Sequence, residues 1–338
     1  MQAKRMNNIS CKDFFKNKKV LITGGLGFIG SNLAIRLVEQ GATVTLLDGI
    51  IEGHGGNEFN IDPIKGEAEV EFGDIRDAVL MNKIVKDKDF IFHLAGQNDH
   101  VLSIRDPFPD IDINIKGSAV LLEACKNFNK TAKLIYTGTR GEYGTAASLP
   151  VKETAAINPK GIYELSSLTV QKLFKIYHEN HGVKSITLRL TNIYGERAQM
   201  RHNRFGVANW FVRLAVEGKT IKVFGDGSIL RDFLYVEDTV RALLTCAMCE
   251  EAYGEVFNVG HNKPSTFLEL AKNIVKIAGK GDWEMVPFTK ERLIQEPGDF
   301  YSDITKIKNI VGWEPKVFLE EGIGRTVRYY EEHKQYYW

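Results

Sequence analysis

The segment KVLITGGLGFIG at residues 19–30 limits what this chain can fold into more than any other. A short apolar run of Val20, Leu21 and Ile22 meets glycines at 24, 27 and 30, and an apolar-periodic stretch follows over residues 31–39. That pattern reads as strand, tight loop and helix. Gly24 permits the sharp turn, Gly27 lets a pyrophosphate approach the backbone, and Gly30 lets the helix lie close on the sheet. The helix N-terminus then offers free N–H groups to an anion. A second strand over 43–47 ends in Asp48, at the spacing of an acid that binds ribose hydroxyls. Three glycines alone would say little, but the strand, helix and acid around them point to a dinucleotide.

At 338 residues the chain can form two domains, or one large α/β unit with an appended lobe. Its 44 basic and 43 acidic residues are interspersed and leave a net charge of +1. No long-range field would therefore draw it to nucleic acid or to an anionic membrane, and an anionic ligand has to be met by local residues. No apolar run reaches spanning length, and the N-terminal stretch lacks the apolar core of a signal peptide. Four cysteines, at 11, 125, 246 and 249, fit a reducing compartment. The expectation is a cytoplasmic protein. Cys246 and Cys249 form a CxxC, but inside a helical pattern and without a second pair, so they read as structural thiols; no metal site is expected.

Residues 1–17 are polar and aperiodic and read as an N-terminal extension. From 18 to 195 strands and helices alternate, which predicts a Rossmann-like α/β fold, a doubly wound parallel sheet that binds the dinucleotide. Residues 196–338 read as a smaller C-terminal α+β lobe, with segments returning to the sheet. The loop over 49–58 after Asp48 has no lysine or arginine for a 2′-phosphate, and Asp48 and Glu52 would repel one. The cofactor is therefore NAD rather than NADP. Asp74, at the end of a strand over 70–72, suits either the adenine or an ordinary helix cap.

A strand over 90–94 runs into Ala95-Gly96-Gln97, where small residues let a dinucleotide lie against the backbone, and His93 within it reads as core. Residues 110–127 form a long helical pattern interrupted by Asn114. The strand over 134–137 leads into a polar turn at Gly138-Thr139-Arg140-Gly141-Glu142-Tyr143-Gly144, on the sheet edge where open α/β sheets bind ligands. Tyr163 lies near the start of a helix. Further helices are expected at 205–217, 236–249, 267–278 and 319–332, with strands at 221–224, 233–235 and 256–259. The aromatic tail YYEEHKQYYW reads as surface packing.

Over residues 18–332 the sequence resembles the extended short-chain dehydrogenase/reductases, specifically the nucleotide-sugar epimerases and dehydratases. The resemblance rests on GGLGFIG at 24–30, Asp48, GDIRD at 73–77, HLAGQ at 93–97, Asn114, YTGTRGEYG at 136–144, Tyr163, LRLTNIYG at 188–195, VFGDGSILRDFLYVED at 223–238, FNVG at 257–260 and GWEP at 312–315. It implies cofactor contacts from Gly24, Gly27, Phe28, Ile29, Asp48, Asp74, Ile75, Leu94, Ala95, Gly96, Asn114 and Tyr163. It further implies a nucleoside diphosphate-sugar held by Gln97, Thr139, Arg140, Asn192 and Arg231. An arginine fork suits phosphate oxygens. In this family hydride passes from a sugar carbon to NAD while a tyrosine takes the hydroxyl proton and a serine or threonine bonds the same oxygen. Tyr163 and Thr139 occupy those positions. A homodimer is implied too, built on the helices at 110–127 and 161–179.

The chain departs from that pattern in three places. Dehydratases of the family carry an Asp-Glu pair directly after the threonine, as acid and base for the leaving hydroxyl. Here Arg140 and Gly141 follow, and Glu142 comes one position too late. The family lysine four residues after the tyrosine is replaced by Ser167. A free tyrosine has a pKa of about 10, so ionising it at pH 7 takes roughly 4 kcal/mol that a serine does not supply. Lys172 lies about two and a half turns along the helix, on its opposite side. Arg140 becomes the candidate cation, supporting either Tyr163 or the sugar. Finally, Glu296 stands where an arginine is frequent, with Arg292 near enough in sequence to replace that contact. The leading reading is an NAD-dependent nucleotide-sugar epimerase acting at C4. The alternatives are a dehydratase or decarboxylase of the same family, and a binding protein that has lost turnover.

Overall fold

The computed structural model describes residues 14–289 and 296–338. Its first half supplies β1 (Lys19–Thr23), β2 (Thr43–Asp48), β3 (Glu69–Phe72), β4 (Phe90–His93), β5 (Lys133–Thr139) and β6 (Ser185–Leu190). The rest supplies β7 (Asn192–Tyr194), β8 (Thr220–Phe224), β9 (Leu230–Arg231), β10 (Phe233–Tyr235), β11 (Val256–Val259), β12 (Ser265–Thr266) and β13 (Asp282–Val286). Seven of these make one parallel sheet in the order β11-β6-β5-β4-β1-β2-β3. Central strands β4 and β6 are buried along their whole length, as the near-continuous apolar runs of a parallel sheet covered on both faces require. Strand order reverses between β1 and β4. The crevice at their carboxyl ends is where such a sheet receives its ligand.

The long helical pattern over 110–127 is three pieces: Pro107–Asp110, a π-helical stretch Ile111–Lys116 and an α-helix Gly117–Phe128. Asn114 sits in the π-helical stretch, whose extra residue re-aims the side chain toward the sheet. In the smaller lobe, helices Val207–Val216, Phe267–Ala278 and Leu319–His333 enclose a second core. Three two-stranded pairs, β10-β7, β12-β9 and β13-β8, accompany it. The division at residue 195 is not clean. Helix Val236–Met248 buries Val240, Leu243 and Ala247 in the first core, and Ile307 and Trp313 join them there.

Two expectations need correction. Phe15, assigned to a loose extension, is fully buried and packs its ring 5.3 Å from Phe90. Residues 1–13, including Cys11, lie outside the described residues. The aromatic tail is only partly on the surface: Tyr330 and Tyr337 are buried in the second core, while the exposed Tyr336 stacks on Phe59 at 3.7 Å. Tyr337 donates to Asn60 Oδ1 (2.6 Å), and Asn60 in turn donates to Leu26 O in the glycine loop (2.9 Å).

Cys125, Cys246 and Cys249 are buried free thiols, and burial pushes Cys125 up to about 12. Among the described residues no helix is long and apolar enough to cross a membrane. His93 is core, as expected, held between Thr23 Oγ1 (2.8 Å) and Ser118 Oγ (2.9 Å).

Burial lowers His93 to about 4, so between about pH 6.5 and 4 the unfolded chain binds a proton there that the folded chain refuses. Stability is therefore present above that window and falls as the pH drops through it, by roughly 3 kcal/mol for this group. Urea unfolding from pH 7 to 4 is expected to show a shallower loss in His93→Gln than in the parent, whatever the variant's absolute stability.

Candidate active site

A single cleft of about 1470 Å³ follows the carboxyl ends of the strands, lined at one end by Gly24 and Asp48 and at the other by Asn192 and Glu296. At its glycine end Gly24 has φ +71°, and a Cβ there would lie 2.8 Å from Ala95 N. A Cβ on Gly30 would run into the Gly24 carbonyl. Helix Phe28–Glu39 starts at Gly27 with no side-chain cap, which leaves its first N–H groups for an anion. Asp48 accepts from Leu26 N (3.0 Å) and Ile50 N (2.9 Å). Burial raises its carboxyl above the ordinary range against those bonds, and each oxygen keeps a lone pair for a ribose hydroxyl. These features fit a dinucleotide.

Other residues assigned to the cofactor, Asp74, Ile75 and Asn114 among them, line this end and are also held by neighbouring protein groups. Asp74 is gripped by Arg76 (Nε to Oδ1 2.9 Å), which holds its carboxyl low, and Ile75 is buried against Gly117. Asn114 accepts from Gln97 N and donates to Gln97 O, both at 2.8 Å, with Gly96 passing so close that a Cβ would lie 2.9 Å from its Oδ1. It therefore sets the backbone of the Leu94-Ala95-Gly96 segment. Gln97, expected on the substrate, is fully buried and turned inward: its amide accepts from Asp99 N and donates to Asp99 O at 3.2 Å.

Thr139 ends β5, and Tyr163 lies in the first turn of helix Ile162–His181. Both side chains line the cleft, and Thr139 Oγ1 accepts from Gly141 N at 3.1 Å. Burial raises the Tyr163 phenol well above its usual range, and Glu164, Asp110 and Glu142 push it the same way. The ring of His100 packs edge-on against Tyr163, centroids 4.6 Å apart, and its Nδ1 bonds Glu164 Oε1 at 2.6 Å.

Ser167 donates to Glu142 Oε1 (3.0 Å) and lies 3.2 Å from the Tyr136 hydroxyl. Glu142 is fully buried and paired with the equally buried Arg189 (Nε to Oε2 2.9 Å). Arg189 also donates to Gln171 Oε1 (2.9 Å) and to the Tyr143 hydroxyl (2.7 Å).

At the far end, Arg140 lines the cleft and stacks its guanidinium 5.0 Å from the Phe300 centroid. Arg231 is almost wholly buried; it donates to Leu230 O (2.8 Å) and Gly298 O (2.6 Å) and pairs with Glu296. It is Glu296, not Arg231, that lines the cleft. Asn192 lines it as well and donates to Asp232 O at 3.1 Å. Arg292 lies outside the described residues.

Residues 20–260 match the NAD dependent epimerase/dehydratase family. The chain belongs to that family. It is 33% identical over 323 residues to a putative UDP-glucose 4-epimerase of Methanocaldococcus jannaschii, covering 94% of this chain and 99% of that one. It is 30% identical over 330 residues to a dTDP-glucose 4,6-dehydratase of Streptomyces niveus, covering 94% of each. The crystal structure of a UDP-glucose 4-epimerase with UDP-glucose from Thermotoga maritima is similar at a TM-score of 0.83 and 32% identity, over 94% of this chain and 99% of that one.

As a member of the NAD dependent epimerase/dehydratase family the chain uses NAD, for which the glycine cradle, uncapped helix start and ribose acid are suited. Sequence reading missed the His100–Glu164 pair, because the two residues lie 64 positions apart and no local period links them. It also missed the internal bonding of Gln97 and the cover that Glu296 places over Arg231.

The Glu142–Arg189 pair is the most exacting contact in the site. Removing one partner leaves a buried, uncompensated charge, which costs about 3–5 kcal/mol. Glu142→Ala is therefore expected to lower the urea midpoint strongly, whereas Glu250→Ala, on an exposed ion pair with Lys184, is expected to leave it within about 1 kcal/mol.

Proposed function

We propose that this chain epimerises a nucleoside diphosphate-sugar at C4, through a transient keto-sugar. The placement of Thr139 at the end of β5 and of Tyr163 in the first helical turn, both lining the cleft that also contains the glycine cradle, carries this reading. Bound NAD supplies the hydride acceptor and donor. Tyr163 takes the proton of the sugar hydroxyl and later returns it, while Thr139 Oγ1 holds the same oxygen. Dehydration would ask for an acid and a base directly after Thr139. Arg140 and Gly141 stand there instead, and the Glu142 carboxylate is closed off in its pair with Arg189.

The same reading includes a homodimer. Exposed Ile111, Phe128, Leu165 and Ile176 lie on the two helical segments that would meet across it. Burying such side chains is favourable by about 25 cal/mol per Å² of apolar surface.

Incubating the protein with UDP- and dTDP-sugars is expected to give an isomer with no net oxidation. Accumulation of a 4-keto product or release of carbon dioxide would replace the epimerase reading with a lyase. Tyr163→Phe is expected to reduce turnover by about 10²–10⁴-fold without loss of bound NAD.

A lysine at position 167 would bring an ammonium one helical turn from Tyr163 and next to Glu142. Ser167→Lys is therefore expected to raise turnover or move the alkaline limb of its pH profile down; an unchanged profile would mean that the site works with a different base.

A further inference from the structure

Arg140 is the unusual charge of this cleft. It directly follows Thr139, is mostly buried, lines the cleft, and rests its guanidinium on Phe300 at 5.0 Å. Among the described residues it makes no hydrogen bond and no ion pair. Three carboxylates face it, those of Asp232, Glu296 and Glu164, and each is engaged elsewhere. Asp232 accepts from Thr191 Oγ1, from Ser302 N (3.1 Å) and from His261 N (3.3 Å). Glu296 is taken by Arg231 and by Gly298 N (3.1 Å), and Glu164 by His100 at 2.6 Å.

A guanidinium has five donors that cannot be neutralised at physiological pH, and withdrawing it from water without an acceptor is costly. Burial and the nearby Arg231 already bring Arg140 down to about 10. The missing partner is an anion that enters with the substrate. Arg231, the other arginine at this end, is already engaged by Glu296 and two carbonyls. Because Arg140 adjoins the residue that holds the reacting hydroxyl, the anion belongs on the same sugar ring.

We propose that the sugar carries a carboxylate, that is, a uronic acid, and that Arg140 binds it as a fork. This rests on the nucleotide-sugar reading above and narrows its substrate class. The guanidinium plane, steadied on the Phe300 ring, presents paired N–H groups to the two carboxylate oxygens. It selects the acid over the neutral hexose through a bidentate ion pair that the neutral hydroxymethyl, with one uncharged oxygen, cannot form. Phosphate oxygens offer the same chemistry, so the experiment has to separate a sugar carboxylate from the diphosphate.

Isothermal titration of the NAD-loaded protein with UDP, UDP-glucose and UDP-glucuronic acid, and with the matching dTDP set, makes that separation. The uronate is expected to bind at least about tenfold more tightly than the neutral sugar. In Arg140→Gln that ratio is expected to fall to about one while binding of the free nucleoside diphosphate stays unchanged, and Arg140→Lys is expected to keep part of it. Equal weakening of all three ligands in Arg140→Gln would assign Arg140 to the diphosphate and overturn the proposal. A parent protein with no preference for the uronate would overturn it as well, leaving the epimerase reading intact. If neither nucleoside diphosphate bound the parent, both readings would fall together.

Discussion

The candidate site depends on a carboxylate that is closed off from the cleft. Glu142 is fully buried, and its partners come from three elements: Arg189 from β6, Ser167 from helix Ile162–His181, and through them Gln171 and Tyr136. The chain of bonds continues from Arg189 through the Tyr143 hydroxyl to Asn258 Oδ1 (2.7 Å) on β11. A buried ion is tolerable only when it is paired and its lone pairs are filled. That condition fixes the strand end bearing Thr139 against the helix turn bearing Tyr163. The same bond explains why a serine is at home at position 167: Glu142 already has its cation in Arg189, and the small hydroxyl fits between Glu142 and Tyr136.

Tyr163 is left in a negative surrounding. Glu164, Asp110 and Glu142 all disfavour its ionisation. Tyr163 is therefore held as a neutral phenol. His100, tethered to Glu164, packs its ring on it. Positive charge is concentrated instead toward the Asn192 and Glu296 end of the cleft, on Arg140 and Arg231, and among the described residues only Arg231 is paired there with a carboxylate. The cleft is thus polarised along its length, with acids around Tyr163 and a guanidinium beyond it.

Much of this could be read from the residues. The glycine loop, the seven-stranded sheet and several elements with sharp apolar patterns, Phe233–Tyr235, Val256–Val259 and Phe267–Ala278, fall where periodicity places them. What escaped was set by partners distant in sequence. Strand Asp282–Val286 carries charges at alternate positions and is specified by pairing with β8 rather than by its own pattern. Phe14 and Phe15 are an aromatic pair in a polar stretch too short to show a period, and their packing on Phe90 brings Phe15 into the core. Gln97 and Arg231 were assigned to the substrate through the family resemblance, whereas the side chains of both are engaged by protein groups that the motifs do not reveal. His100 gave no local signal at all.

The contact between Tyr337 and Asn60 has a consequence for how the protein is made. Asn60 holds Leu26 O, and Leu26 N holds Asp48, so the back of the glycine loop is braced by residues that lie more than three hundred positions later. Translation delivers the loop within the first thirty residues and the brace only at residues 336–337. Until residues 336–337 have joined the fold, the back of the glycine loop lacks this support, however early the strands around it have paired.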